Sequence, residues 1–266
     1  MNPLALPFTM PSSYSPSLVA LSFLISAVGA FVALTAAAGI VGAGRRISVF
    51  NAVASGTALG GIGVWAMHFV GMLSLEVDMA VSYSLPETLL SLVAAIAASA
   101  GALLWVARQP TPQRIVPAGI LLGLGVCVMH YLGMYGMRFG GLLEWATPVV
   151  VASVLIAFVA ATAALWLAFA TRGFMARVTA SLVMAGAVCA MHYTGMEAAS
   201  FICTTPTPMA SPPGNWLVSA LDLPALVSIA AFGMAFVIFI DQMFQRMARA
   251  TTLRLQPASS GGRPQA

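Results

Sequence analysis

The chain contains three histidines, and each lies inside the same six-residue pattern. The segments Met67-His68-Phe69-Val70-Gly71-Met72, Met129-His130-Tyr131-Leu132-Gly133-Met134 and Met191-His192-Tyr193-Thr194-Gly195-Met196 recur with their histidines 62 residues apart both times. Residues four apart share a helix face, so His68 aligns with Met72, His130 with Met134 and His192 with Met196. Each copy therefore offers an imidazole and a thioether together. Met67, Met129 and Met191 sit about 100° round from their histidines, on the neighbouring stripe, and form a second tier of candidates. Three residues before the histidines come Trp65, Cys127 and Cys189; the two thiols read as small buried hydrophobes outside the ligand set.

Imidazole and thioether donors at one level of three neighbouring helices suit copper, above all cuprous copper, because soft sulfur selects it over zinc, iron or magnesium. Zinc more often recruits thiolates or carboxylates. A single intramembrane histidine is as well explained by interhelical hydrogen bonding, and a single methionine by core filling. Threefold recurrence moves the balance toward one shared site. No serine-histidine-acid set, phosphate loop, nucleotide fingerprint or paired carboxylates is present, which argues against an enzyme.

The elements that must position these side chains follow from composition. Of the 266 residues 60% are apolar and 7% charged, which excludes an ordinary soluble domain. Apolar runs long enough to span a bilayer fall at about 18–41, 50–73, 87–107, 115–136, 148–170, 178–199 and 222–244. The expected fold is an all-α membrane protein of seven transmembrane helices, arranged as three two-helix repeats plus one extra helix. Its parts are a short extracytoplasmic segment at 1–17, a membrane domain at 18–244 with motifs at 67–72, 129–134 and 191–196, and a short basic, disordered cytoplasmic tail at 245–266.

All eleven basic residues are arginines, and ten of them fall on one side of these spans, with Arg138 alone on the other. Arginine bias then puts the N-terminus outside and the C-terminus in the cytoplasm. The net charge of +4 reflects topology and not a nucleic-acid partner. Glu76 and Glu197 mark the outer boundary, and Asp241 is expected to pair with a tail arginine such as Arg246 or to sit in the helix interface. Cys127, Cys189 and Cys203 form no even framework, so disulfides are not expected. The N-terminus has no basic residue before its first apolar run and does not read as a cleavable signal peptide. Small residues Gly61, Gly63, Gly123, Gly125, Ala185 and Ala187 precede the motifs and suggest central packing of the second, fourth and sixth helices.

These segments resemble the motifs of the MHYT family of bacterial integral membrane sensor domains, named for Met-His-Tyr-Thr, which Met191 to Thr194 spell in full. The resemblance covers at least the first six helices. It implies a sensor or signalling domain of the bacterial inner membrane, binding copper through the methionines and histidines and responding to oxygen, carbon monoxide or nitric oxide. Family members often carry cyclic-di-GMP or kinase modules. Here about twenty residues follow the last span, so a stand-alone member acting through a separate cytoplasmic or membrane signalling partner is expected. Phe69, Val70 and Leu132 depart from the family's tyrosine and threonine, which removes those hydroxyls as a common requirement. Two other functions use the same residues: a membrane copper carrier or metallation factor, and a haem-binding protein.

Overall fold

The structure, a computed structural model, describes residues 7–42 and 46–255. Among the described residues, seven helices are long and apolar enough to cross a membrane. They are α1 (Pro16–Ala37), α2 (Val49–Leu73), α3 (Leu85–Ala107), α4 (Pro112–Tyr135), α5 (Thr147–Ala170), α6 (Phe174–Glu197) and α7 (Asp222–Leu255). Proline opens α1, α3, α4 and α5 at the first or second position, where its missing N–H costs nothing and its fixed φ suits the helix. Ser48 caps α2 by accepting from the Asn51 backbone N–H at 3.2 Å.

Six of these helices form a closed ring in chain order, with α6 returning to pack on α1. α7 lies outside the ring against α1 and α2, which leaves α2 the most enclosed of the seven. The middle of α2, Thr57–Ala66, is a π-helix containing Gly60, Gly61 and Gly63. Wider π turns are uncommon and cluster at functional sites, and this one ends where the first motif begins.

Backbone approach sets the ring. A Cβ on Gly29 would stand 2.3 Å from the Gly63 nitrogen, and one on Gly60 2.3 Å from the Ala95 carbonyl oxygen. Buried serines fasten the same contacts, Ser26 donating to the Gly63 carbonyl at 2.7 Å and Ser55 to the Ala33 carbonyl at 2.8 Å. The small residues act differently from the sequence expectation. Gly61 faces Ile96 and Leu92 on α3, Gly123 faces Phe158 on α5, and Gly125 faces Ala98 on α3. They let flanking helices close on the motif helices, and the Thr57–Ala66 stretch of α2 also reaches α4 and α6.

Among the described residues, eight short strands cap the motif end of the bundle, an element the hydropathy pattern gave no reason to expect. They are β1 (Phe8–Thr9), β2 (Ser12–Tyr14), β3 (Leu75–Val77), β4 (Ser82–Ser84), β5 (Met137–Arg138), β6 (Gly141–Trp145), β7 (Ala199–Cys203) and β8 (Leu217–Ser219). They form sheets β1-β7-β6, β2-β3 and β5-β4-β8, all antiparallel. The N-terminal segment is thus paired to the chain following α2 and α6. Arg138 and Glu87 make an ion pair of 2.7 Å on this cap.

At the opposite end, Asn51 and Gln242 are both buried, and Gln242 donates to Asn51 at 2.8 Å. Asn51 donates in turn to the Gly39 carbonyl at 2.9 Å. Asp241 accepts from Gln245 at 2.8 Å and from Gln242 at 3.1 Å, the interface role of its two expected alternatives. This network ties α7 to the α1–α2 turn. Several helix ends differ from the sequence reading: α1 stops at Ala37 and not at 41, α4 begins at Pro112 and not at 115, α6 begins at Phe174 and not at 178, and α7 runs to Leu255 where a disordered tail from 245 was expected. Arg45 and residues 256–266 lie outside the described residues.

Glycine substitution tests the ring. Gly29→Ala should destabilise the protein by about 1–3 kcal/mol through overpacking, more than the ~1 kcal/mol alanine gains in helix propensity. Gly101→Ala, which meets nothing within 4 Å, should be neutral or slightly stabilising. Thermal unfolding in detergent reads the difference, and equal stability of the two variants would contradict this packing.

Candidate metal centre

Each histidine lies five residues, about one and a half turns, from the capped end of its helix, on α2, α4 and α6. The three imidazoles meet on the bundle axis. Nδ1 of His68 is 3.1 Å from Nδ1 of His192 and 3.2 Å from Nδ1 of His130. The ring centroids lie 5.0, 5.0 and 5.2 Å apart, packed edge to face. Relative exposure is 0% for His68 and His130 and 1% for His192, so the centre is closed to solvent.

The motif glycine explains how three rings fit there. Nε2 of His68 lies against Gly133, that of His130 against Gly195, and that of His192 against Gly71. A Cβ on any of these glycines would fall 2.3–2.4 Å from the imidazole nitrogen. Every copy therefore seats the histidine of another copy, in cyclic order. Glycine is required by this approach and not by any unusual backbone angle.

None of the three Nε2 atoms has a hydrogen-bond partner. A neutral imidazole has one N–H and one lone pair, so three convergent Nδ1 atoms cannot satisfy one another. A proton on one can be shared with a neighbour, yet lone pairs still face each other across the remaining contact. A central cation satisfies all three at once. Bonds of about 2.0 Å to three corners of a tetrahedron place the donors roughly 3.3 Å apart. The two spacings from the His68 Nδ1, 3.1 and 3.2 Å, are close to that.

Among the described residues, these three histidines are the group of histidine, cysteine and acidic side chains that could hold an ion. Cys127 and Cys189 stay free and outside it, as does Cys203. All six motif methionines are buried, with exposures from 0 to 2%. They do not share one environment. Met72 borders a cleft beneath the cap with Glu76 and Tyr83, and Met134 borders another with Tyr131 and Arg138. Met191 packs with Cys127 and Ala157 and lines an apolar cavity between helices. Met67, Met129 and Met196 belong to the main core.

Outside each imidazole stands the aromatic ring that follows it, at 4.9, 4.9 and 4.8 Å in the three copies. These rings also latch the motif helices to their neighbours. The Tyr193 hydroxyl bonds to Ser22 on α1 at 2.9 Å, and that of Tyr131 to Ser153 on α5. Phe69 has no hydroxyl, but Trp65 supplies one donor in its place. Its Nε1–H reaches Ser91 on α3 at 3.0 Å and the Thr88 carbonyl at 3.1 Å, while its ring packs on Phe69 at 5.1 Å. The pair Trp65 and Phe69 thus replaces Cys127 with Tyr131, and Cys189 with Tyr193. Sequence reasoning treated position 65 as a missing thiol; the two changes four residues apart on one face were the available signal.

The expected boundary acids stay at the boundary. Ser13 donates to Glu76 at 3.2 Å across β2–β3. Burial and the Glu197 carboxylate beside it hold the Tyr14 phenol above its ordinary range.

Comparison with known proteins agrees with this construction. The family described as "Bacterial signalling protein N terminal repeat", MHYT, matches residues 61–119, 123–181 and 186–252. Each matched repeat begins in a motif helix and runs on through the next span, a different phase of the same period from the α1–α2, α3–α4, α5–α6 division. The chain is 38% identical over 71% of its length to the bifunctional diguanylate cyclase/cyclic di-GMP phosphodiesterase MucR of Pseudomonas aeruginosa, covering 28% of that protein. It is 36% identical over 74% of its length to the cyclic di-GMP phosphodiesterase NbdA of the same organism, covering 26% of it. It is 26% identical over 71% of its length to the signaling protein YkoW of Bacillus subtilis, covering 24% of it. The chain thus spans about a quarter of the length of these relatives. No solved structure matches. With three matched repeats, each built on a histidine that meets the other two, the chain belongs to the MHYT family of bacterial signalling proteins.

Proposed function

We propose that this membrane signalling domain is a sensor that holds one copper ion, as Cu(I), on Nδ1 of His68, His130 and His192, and responds to a diatomic gas. The observation that carries the reading is the convergence of three buried, otherwise unsatisfied Nδ1 atoms. Charge favours the cuprous ion. The donors are neutral, no carboxylate or thiolate belongs to the group, and a divalent ion there would keep its full charge in an apolar interior. When bound, the ion would supply an open coordination position of the kind that takes oxygen, carbon monoxide or nitric oxide.

The chain's own residues do the rest. Gly71, Gly133 and Gly195 orient the imidazoles, and the burial of the rings excludes water. The motif methionines provide soft, polarizable surroundings, with Met72, Met134 and Met196 one turn from the histidines. α2 is the natural route outward, because it carries His68, includes the π-helical stretch and packs on α7. A gas moves that route only if it binds one arrangement of α2 more tightly than another. α7 would then act on a cytoplasmic or membrane signalling partner. The arginine bias supports a capped end that faces outward from a bacterial inner membrane.

The alternatives fit less well. A carrier needs its ion within reach of an acceptor, whereas these rings are fully enclosed. Haem needs a slot for a macrocycle, and the rings are in direct contact.

Purified protein loaded with Cu(I) should retain about one copper per chain more than the triple His68→Ala, His130→Ala, His192→Ala variant. His192→Gln, with folding checked by circular dichroism, guards against simple collapse of the triple variant. Equal copper in variants and parent would end this reading. Gly133→Ala, which pushes on the His68 ring, should weaken copper affinity about tenfold to a hundredfold. Gly186→Ala, with nothing within 4 Å of its new Cβ, should leave affinity unchanged. A competition titration against a Cu(I) chelator reads both, and equal affinities would separate the glycine seat from metal binding.

A further inference from the structure

Beneath the strand cap is a cleft of about 330 Å³ that the motif does not account for. Its lining includes the thioethers of Met72, Met79 and Met137, with Tyr83 and the acids Glu76 and Asp78. The methionines are buried, at 2, 6 and 6% exposure, and both acids are exposed. Met79 and Met137 lie outside the repeated pattern and come from different loops. Met137 sits opposite Tyr83 in the β4–β5 register, and Met79 lies in a turn closed by its N–H to the Val77 carbonyl at 2.7 Å. Folding of the cap brings them to Met72.

Methionine usually fills core gaps. These three belong to the hydrophobic core, yet they also line one cleft together with two exposed acids, a combination that core filling does not need. We infer that this cleft is a second metal site, specific for a soft monovalent cation such as Cu(I) or Ag(I), and the path by which the ion reaches the histidines. Thioethers select soft d10 ions and bind hard ions poorly, since those require several oxygen ligands. Glu76 and Asp78 raise the local cation concentration at the mouth. Met72, the most buried of the three methionines lining the cleft, stands on the same helix face as His68 and one turn away. The entry role rests on the histidine reading above; the binding of a soft cation in the cleft does not.

The test uses the full chain in nanodiscs with Ag(I), a redox-inert probe, and labelled methionine methyl groups. The Met79 and Met137 methyl resonances, assigned through Met79→Leu and Met137→Leu, should shift on silver addition. Unmoved resonances at silver saturation would overturn the site. In the Met79→Leu, Met137→Leu double variant, which conserves volume, Cu(I) loading of the histidines should slow about tenfold or more, while the copper finally held by the histidines is unchanged and only the cleft's share is lost. Glu76→Gln with Asp78→Asn should slow loading at low salt and not at high salt. Unchanged loading rates in the double methionine variant would overturn the entry role. Shifted methyl resonances together with equal copper in the parent and the triple histidine variant would sink the histidine reading and leave the cleft standing.

Discussion

Placing three imidazoles in an apolar interior with their lone pairs facing one another is the constraint around which the bundle is organised. Polar groups deep in a membrane protein are costly unless they find partners, and these find only each other. The arrangement demands that α2, α4 and α6 approach at one level, that each ring have a glycine to rest on, and that nothing else enter. The cyclic seating of His68 on Gly133, His130 on Gly195 and His192 on Gly71 answers all three demands with one repeated residue type. A site formed this way cannot be assembled from one copy or two.

The repeats supply the symmetry, and the departures from it give the molecule direction. α7 covers one side of a nearly threefold ring and touches α2, the helix whose motif has phenylalanine and whose middle is π-helical. The Trp65–Phe69 pair keeps the latch to α3 while changing which atoms make it. The cap is asymmetric as well, since the methionine-lined cleft opens beside the first motif. Threefold chemistry at the centre is thus joined to a one-sided exterior, as a domain that passes on a signal requires.

Much of this was legible in the sequence. Hydropathy gave seven spans because each run is long and nearly free of charge, and the 62-residue period gave the three histidines a common depth. What sequence could not give was rotation. Nothing in the spacing of Gly71, Gly133 and Gly195 says that each faces another copy's imidazole, because that depends on how three separate helices turn toward one axis. The glycines before the motifs were assigned to contact among the motif helices for the same reason, and instead face α1, α3 and α5. The strands are two to five residues long, too short for an alternation pattern to stand out among loops. Helix α7 outlasts its apolar run because a helix can leave the bilayer without ending, and charge marks the boundary of the lipid and not of the helix.

X-ray absorption at the copper edge of the Cu(I)-loaded protein tests the central claim most directly. Three nitrogen donors at about 2.0 Å, with the outer-shell scattering of imidazole rings, are the expected result. A first shell of sulfur alone, with no imidazole scattering, would contradict it.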